Sequence, residues 1–192
     1  MKIGIDISQI AYEGTGVGQY LEQLINHLVE IDSKNEYLFF FSSLRKNLKS
    51  LSSRPPRLGE AGRSGQILNL KYTNKNVKIK NFKIPPTILD FLWNKLHIIP
   101  IEWLIGDVDV FISSDWTQPP TKAKKITILY DLIVYKYPQE TDQKIVSVQK
   151  RRLQWVKREC DAVFCISQSS KEDAMEILGI EKEKLHVILP GT

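Results

Sequence analysis

Short runs of branched and aromatic residues alternate with stretches of helical period along this chain. Residues 2–7, EYLFFFSS at 36–43, NVKIKNFKI at 76–84, DVDVFIS at 107–113, KKITILYD at 124–131, DAVFCIS at 161–167 and KLHVILPG at 184–191 all read as strands. Most are apolar throughout and do not alternate with polar residues, which is the pattern of strands covered on both faces. Between them, Leu21, Leu24, Ile25, Leu28 and Ile31 fall at helical spacing within 18–31. Residues 85–106 start as a helix at two prolines and break at Pro100. Residues 139–160 form a long helix with Val146, Leu153, Val156 and Cys160 on one face. SQSSKEDAMEILG forms another, capped within 167–170 and stopped at Gly179. The alternation predicts an α/β fold, a Rossmann-like parallel sheet with helices on both faces. The 192 residues, 42% of them hydrophobic, suit a single domain with a real core. Residues 50–66, rich in Ser, Pro, Gly and Arg, read as a mobile surface loop.

Ligands of such sheets bind outside the carboxyl ends of the strands. Those ends carry Asp6-Ile7-Ser8, Ser113-Ser114-Asp115, Tyr130-Asp131, Ile166-Ser167 and Pro190-Gly191, so polar residues gather where a site belongs. The formal net charge of +5 is scattered along the chain, as on an ordinary solvated surface. It comes with no stacking pattern of aromatic and basic residues, and no nucleic-acid partner is expected. No apolar run reaches the ~18 residues of a membrane span, and MKIGIDIS lacks the apolar core of a secretory signal. A cytoplasmic location is expected. Cys160 and Cys165 read as small core thiols in a reducing compartment. His27, His97 and His186 have no carboxylate or cysteine at ligand spacing, so neither a metal nor a cofactor is expected. Trp93 and Trp103 fit either a packed core or a surface touching a lipid interface.

YEGTGVGQYLEQL, at 12–24, brings three glycines to the start of the first helix. A dinucleotide fingerprint needs G-x-G-x-x-G directly after the first strand and an acidic residue ending the second. Here the third glycine's place, position 19, is Gln, the loop opens late, and the second strand ends in Phe39-Phe40-Phe41-Ser42. No Gly-Lys-Ser/Thr follows, which removes a Walker loop. Two readings stay open. The glycines form a turn that caps the helix, or first-turn N–H groups and the helix dipole meet an anion that the missing Cβ atoms let approach.

DISQIAYEGTGVGQYLEQLI resembles the opening segment of group 1 glycosyltransferases, the retaining, metal-independent, family 4-like enzymes of GT-B fold. Three later segments resemble the family in order: WNKLHIIPIEWLIGDVDVFISSDWTQPP, KKITILYDLIVYKYPQE and CDAVFCISQSSKEDAMEILGIEKEKLHVILPG. The resemblance implies the N-terminal, acceptor-binding half of an enzyme with two Rossmann-like domains. The whole enzyme would move a sugar from a nucleotide-sugar donor to a glycan or lipid-linked acceptor with retention. Residues 1–192 stop where the donor domain should begin, so the chain is expected to be a truncated enzyme that lacks its C-terminal donor domain or one subunit of a split enzyme with a separate donor subunit, and to be inactive alone. Lipid-linked acceptors would bring peripheral contact with the inner face of a membrane. By the same resemblance, Gly14, Thr15, Gly16, Val17 and Gly18 form the loop that approaches the donor diphosphate. Tyr20 is an acceptor-side wall or a core-edge aromatic. Asp131 matches the Asp of the family's His-Asp pair, or is a turn-forming Asp. Tyr130 stands where that His belongs, and a phenol cannot carry a proton near neutral pH as imidazole does. Either the backbone contact suffices there, or activity is altered or lost. Ser167 matches a cleft-facing Ser and also suits a helix N-cap. A non-catalytic subunit that binds a donor-domain partner is the alternative.

Overall fold

The computed structural model describes residues 1–12, 14–48, 67–68 and 76–190. The segment 50–66 read as a mobile loop lies outside them. Its frame is a seven-stranded, all-parallel sheet. The strands are β1 (Lys2–Asp6), β2 (Glu36–Ser42), β3 (Val77–Phe82), β4 (Val110–Ser113), β5 (Lys124–Leu129), β6 (Ala162–Cys165) and β7 (Leu185–Val187). Their spatial order is β3-β2-β1-β4-β5-β6-β7. Asn47–Leu48 and Ile67–Leu68 form a separate parallel pair. The chain winds outward from β1 through β2 to β3, then returns to β4 on the other side of β1, where Ile3 faces both Tyr37 and Val110. The carboxyl ends of β1 and β4 thus flank the topological switch point.

Strand β2 shows why its run from Tyr37 to Phe41 is apolar on every residue. Tyr37, Phe39 and Phe41 enter one cluster with Leu21, Ile25 and Val29 of helix α1 (Gly16–Ile31). Leu38 and Phe40 enter another on the opposite face with Trp93, Ile101 and Phe111. Alternate side chains of a strand point to opposite faces, and burying each large apolar side chain is worth ~1.5–3 kcal/mol. Edge strand β3 instead exposes Lys78 and Lys80, charges that discourage further strand pairing. A third cluster joins β6 to α5 (Gln143–Glu159), which follows the short helix α4 (Ile133–Lys136), and to the helix begun by α6 (Gln168–Asp173) through Val146, Leu153, Val156, Cys160, Val163, Cys165 and Leu178.

Several boundaries differ from the sequence reading. The core stripe of α1 runs through Val29, while Ile31 is 80% exposed. Helix α5 starts at Gln143, not at 139, because Asp142 accepts from the N–H groups of Lys144 and Ile145 and caps it there. The break in 85–106 precedes Pro100. Helix α2 (Pro86–Leu89) continues as a π-helical turn, Asp90–Lys95, and ends before the left-handed residues His97 (φ 53°) and Ile99 (φ 64°). Trp93 Nε1 donates to the Ile99 carbonyl at 2.9 Å, while His97 Nδ1 bonds the Trp93 carbonyl at 2.8 Å. These side chains hold the break, and helix α3 (Glu102–Ile105) follows it. Trp93 is a core residue at 1% exposure, whereas Trp103 is 77% exposed, so the two tryptophans part company.

Candidate functional site

The glycine loop lies beyond the carboxyl end of β1, and its three glycines are there for different reasons. Gly14 has φ +76°, where a side chain is strained. Thr15 is the N-cap of α1. Its hydroxyl accepts from Gly18 N–H at 3.2 Å and donates to the Tyr12 carbonyl at 2.8 Å. Gly18 is packed against this turn, and a Cβ there would lie 3.0 Å from the Tyr12 carbonyl oxygen and 3.1 Å from that of Gln9. Gly16 differs, because a Cβ there would meet nothing within 4 Å. Gly16 and Val17 open the helix, where N–H groups have no intrahelical acceptor and the dipole is positive. The capping and anion-binding readings therefore divide among the glycines: Gly18 serves the cap, and Gly16 leaves main chain open to approach.

Three strand ends meet next to this helix. Tyr20 and Tyr130 stack edge to face at 5.5 Å between ring centres. The Tyr20 hydroxyl donates to the Ile188 carbonyl at 3.2 Å, beyond β7. Ser170 donates to the Tyr130 carbonyl at 2.7 Å. Ser167 caps α6, its hydroxyl accepting from Ser170 N–H at 3.0 Å. Tyr20, Tyr130 and Ser167 are thus brought together. Tyr20 is half-buried against the first core, and Tyr130 belongs to that core. Burial pushes both phenols above their usual 10. Asp131 is exposed, and its Oδ1 accepts from Ile133 N–H at 3.0 Å, an Asx turn.

A charged cluster under these ends is absent from the sequence reading. Arg152 of α5 is fully buried. Its Nε donates to the Ser114 carbonyl at 3.1 Å, and its Nη2 to Thr127 Oγ1 at 2.7 Å and the Ile128 carbonyl at 3.1 Å. Asp115 Oδ1 lies 3.6 Å from Nη1, and Gln149 Nε2 donates to the Asp115 carbonyl at 2.7 Å. One guanidinium thereby ties β5 and the loop after β4 into a fixed edge. Burial pushes the Asp115 carboxyl up to about 6, against the pull of Arg152 and with a push from Asp131. Replacing Asp131 with Asn removes that like charge, so the Asp115 midpoint is expected to fall in a carboxyl NMR titration. An unchanged or higher midpoint contradicts the arrangement. Because the folded value lies above the usual 3.8, Asp115 contributes stability that is complete below about 3.8 and lost as pH rises through about 6.

The signal for Arg152 was its register. With Gln149, it interrupts the apolar stripe of Val146, Leu153 and Val156. A polar residue at a core position needs partners. His97 also has a partner that local spacing hides. Its Nε2 lies 3.0 Å from Glu159, which also pairs with buried Lys125, and its ring stacks on Trp155 at 3.7 Å. Lys125 lies at the amino end of β5, far along the sheet from the carboxyl edge. Cys160 and Cys165 are buried free thiols, pushed by burial up to about 12 and about 11. Among the described residues, no group of three or more His, Cys, Asp or Glu could hold a metal ion, and no helix is long and apolar enough to cross a membrane. Compared with known proteins, the chain matches no protein-family model and no curated protein.

Proposed function

We propose that this chain is the acceptor-side half of a retaining glycosyltransferase of GT-B architecture, transferring sugar from a nucleotide-sugar donor to a glycan or lipid-linked acceptor. The observation that carries the reading is the open helix start at Gly16 beside a switch-point edge of clustered polar residues. Donors at a helix start stabilise the charge on a departing diphosphate. In this assignment Gly16 and Val17 present N–H groups to the diphosphate, and Gly14, Thr15 and Gly18 set the angle of the helix. Tyr20 and Ser167 line the acceptor side. Tyr130 and Asp131 take the place of the family's His-Asp pair. The Tyr130 carbonyl already accepts from Ser170 and its phenol is buried, so Tyr130 positions the edge and moves no proton. The donor-binding half lies outside residues 1–192. Exposed Phe91, Ile98 and Trp103 supply apolar surface for contact with a membrane.

Tyr130 also favours a second reading, a non-catalytic subunit that only docks a donor-binding partner. Amide NMR of this chain titrated with UDP- and GDP-hexoses tests the loop assignment. Shifts at Gly16 and Val17 with millimolar dissociation constants are expected, since the main diphosphate contacts lie on the other half. Micromolar binding, or no response at these amides, would contradict it.

A further inference from the structure

Between the ends of β1 and β4 lies a crevice lined by Asp6, Ser8, Tyr12, Leu89, Trp116 and Thr117, with an interior of about 20 Å³. That volume admits one water-sized group. Asp6 is 2% exposed and has no ion pair among the described residues. Its donors are neutral. Oδ1 accepts from Ser8 N–H at 2.9 Å, the hydroxyls of Ser8 and Ser114 reach the carboxylate, and Thr117 approaches Oδ2 only at 3.5 Å. A good O–H···O bond spans ~2.5–3.0 Å, so Thr117 holds Oδ2 loosely, and a hydroxyl entering the crevice would make a shorter bond there. Burial pushes this carboxyl above its usual 3.8. The walls suit a particular partner. Tyr12 is 48% exposed and Trp116 half-buried, aromatic surface beside a hydrogen-bonding floor. A lone carboxylate over so small a space does not make a cation cage, which needs several oxygen ligands.

We infer that this crevice receives one hydroxyl of a saccharide acceptor, with Asp6 accepting its hydrogen and Tyr12 and Trp116 lying against the sugar ring. The inference rests on the transferase reading above and places the acceptor at the switch point, on Asp6, Tyr12 and Trp116 and not on the glycines. A site built to bond a hydroxyl rejects the analogue that lacks it, because its own polar group is then left unpaired.

The probes are methyl hexopyranosides, with 2-methoxytetrahydropyran as the ring without hydroxyls, added to the full 192-residue chain and followed by amide NMR. At least one glycoside is expected to shift Ser8 and Thr117 saturably at millimolar concentration, and the bare ring is not. Asp6→Asn and Trp116→Ala are each expected to weaken that binding about tenfold, the scale of a charge-assisted hydrogen bond or an aromatic contact. Should Asp6→Asn not fold, Trp116→Ala on the half-buried wall carries the test. Glycosides that leave Ser8 and Thr117 unmoved, or a bare ring that binds equally well, overturn the inference. Failure here is separable from failure of the transferase reading, because binding needs no donor half. Saccharide binding that depends on Asp6 and Trp116, without sugar transfer by the assembled enzyme, upholds the crevice and refutes the transferase. Transfer that ignores both variants does the reverse.

Discussion

Replacing Arg152 with leucine is expected to destabilise the fold by ~3–5 kcal/mol, the range for removing one partner of a buried charged network. The guanidinium is fully buried and bonds the Ser114 carbonyl, Thr127 and the Ile128 carbonyl, with Asp115 3.6 Å away. Leucine is shorter than arginine, so it would leave part of the volume empty, the Ser114 and Ile128 carbonyls without this donor and Asp115 without its nearby cation. A domain's whole stability is only ~5–15 kcal/mol, so failure to fold is also within expectation. Urea unfolding followed by circular dichroism measures the loss. Adding Asp115→Asn to Arg152→Leu is expected to recover part of it, since the unpaired charge disappears. A loss below ~1 kcal/mol, the level of a single ordinary hydrogen bond, would mean that this cluster does not hold the edge together.

The second large effect is functional. On the transferase proposal, Gly16→Ala keeps the N–H but puts a methyl group in the path of the diphosphate, and sugar transfer by the assembled enzyme is expected to fall ~10²-fold, the scale of losing one preorganised donor to developing charge. Stability should stay within ~0.5 kcal/mol of the parent, because a Cβ at Gly16 meets nothing within 4 Å. Gly18→Ala makes the contrast. Its Cβ would press on the carbonyl oxygens of Tyr12 and Gln9 and on the Thr15 hydroxyl, so a cost of ~1–3 kcal/mol is expected. Transfer rates and unfolding curves for both variants separate ligand approach from packing. Equal transfer by Gly16→Ala and the parent would remove the loop from the reaction.

The fold was legible because its strongest signals are local. The fully apolar β2 run needs two covered faces, and the sheet supplies them through Phe39 on one side and Phe40 on the other. Ser167 and Gly179 mark the limits of one helix through a cap bond and a left-handed residue. The capping role of Thr15 was not legible, nor was the division of labour between Gly16 and Gly18, because both depend on what each missing Cβ would touch. Arg152 reaches Ser114 and Thr127 across 38 and 25 residues, and His97 reaches Glu159 across 62. Such partners are set by the order of strands in the sheet and by no local pattern. The break at His97 and Ile99 arose earlier than Pro100 suggested because Trp93 and His97 bond the main chain there.

On the transferase proposal, this edge is one wall of a glycosyl-transfer cleft. The assembled enzyme, isolated by a tag on this chain from its own cells, can be given labelled nucleotide sugars and saccharide or lipid-linked acceptors, and the anomeric configuration of the product read by NMR. Transfer with retention, lost on Gly16→Ala, is the expected result. No transfer from any nucleotide sugar, or transfer with inversion, would contradict the claim.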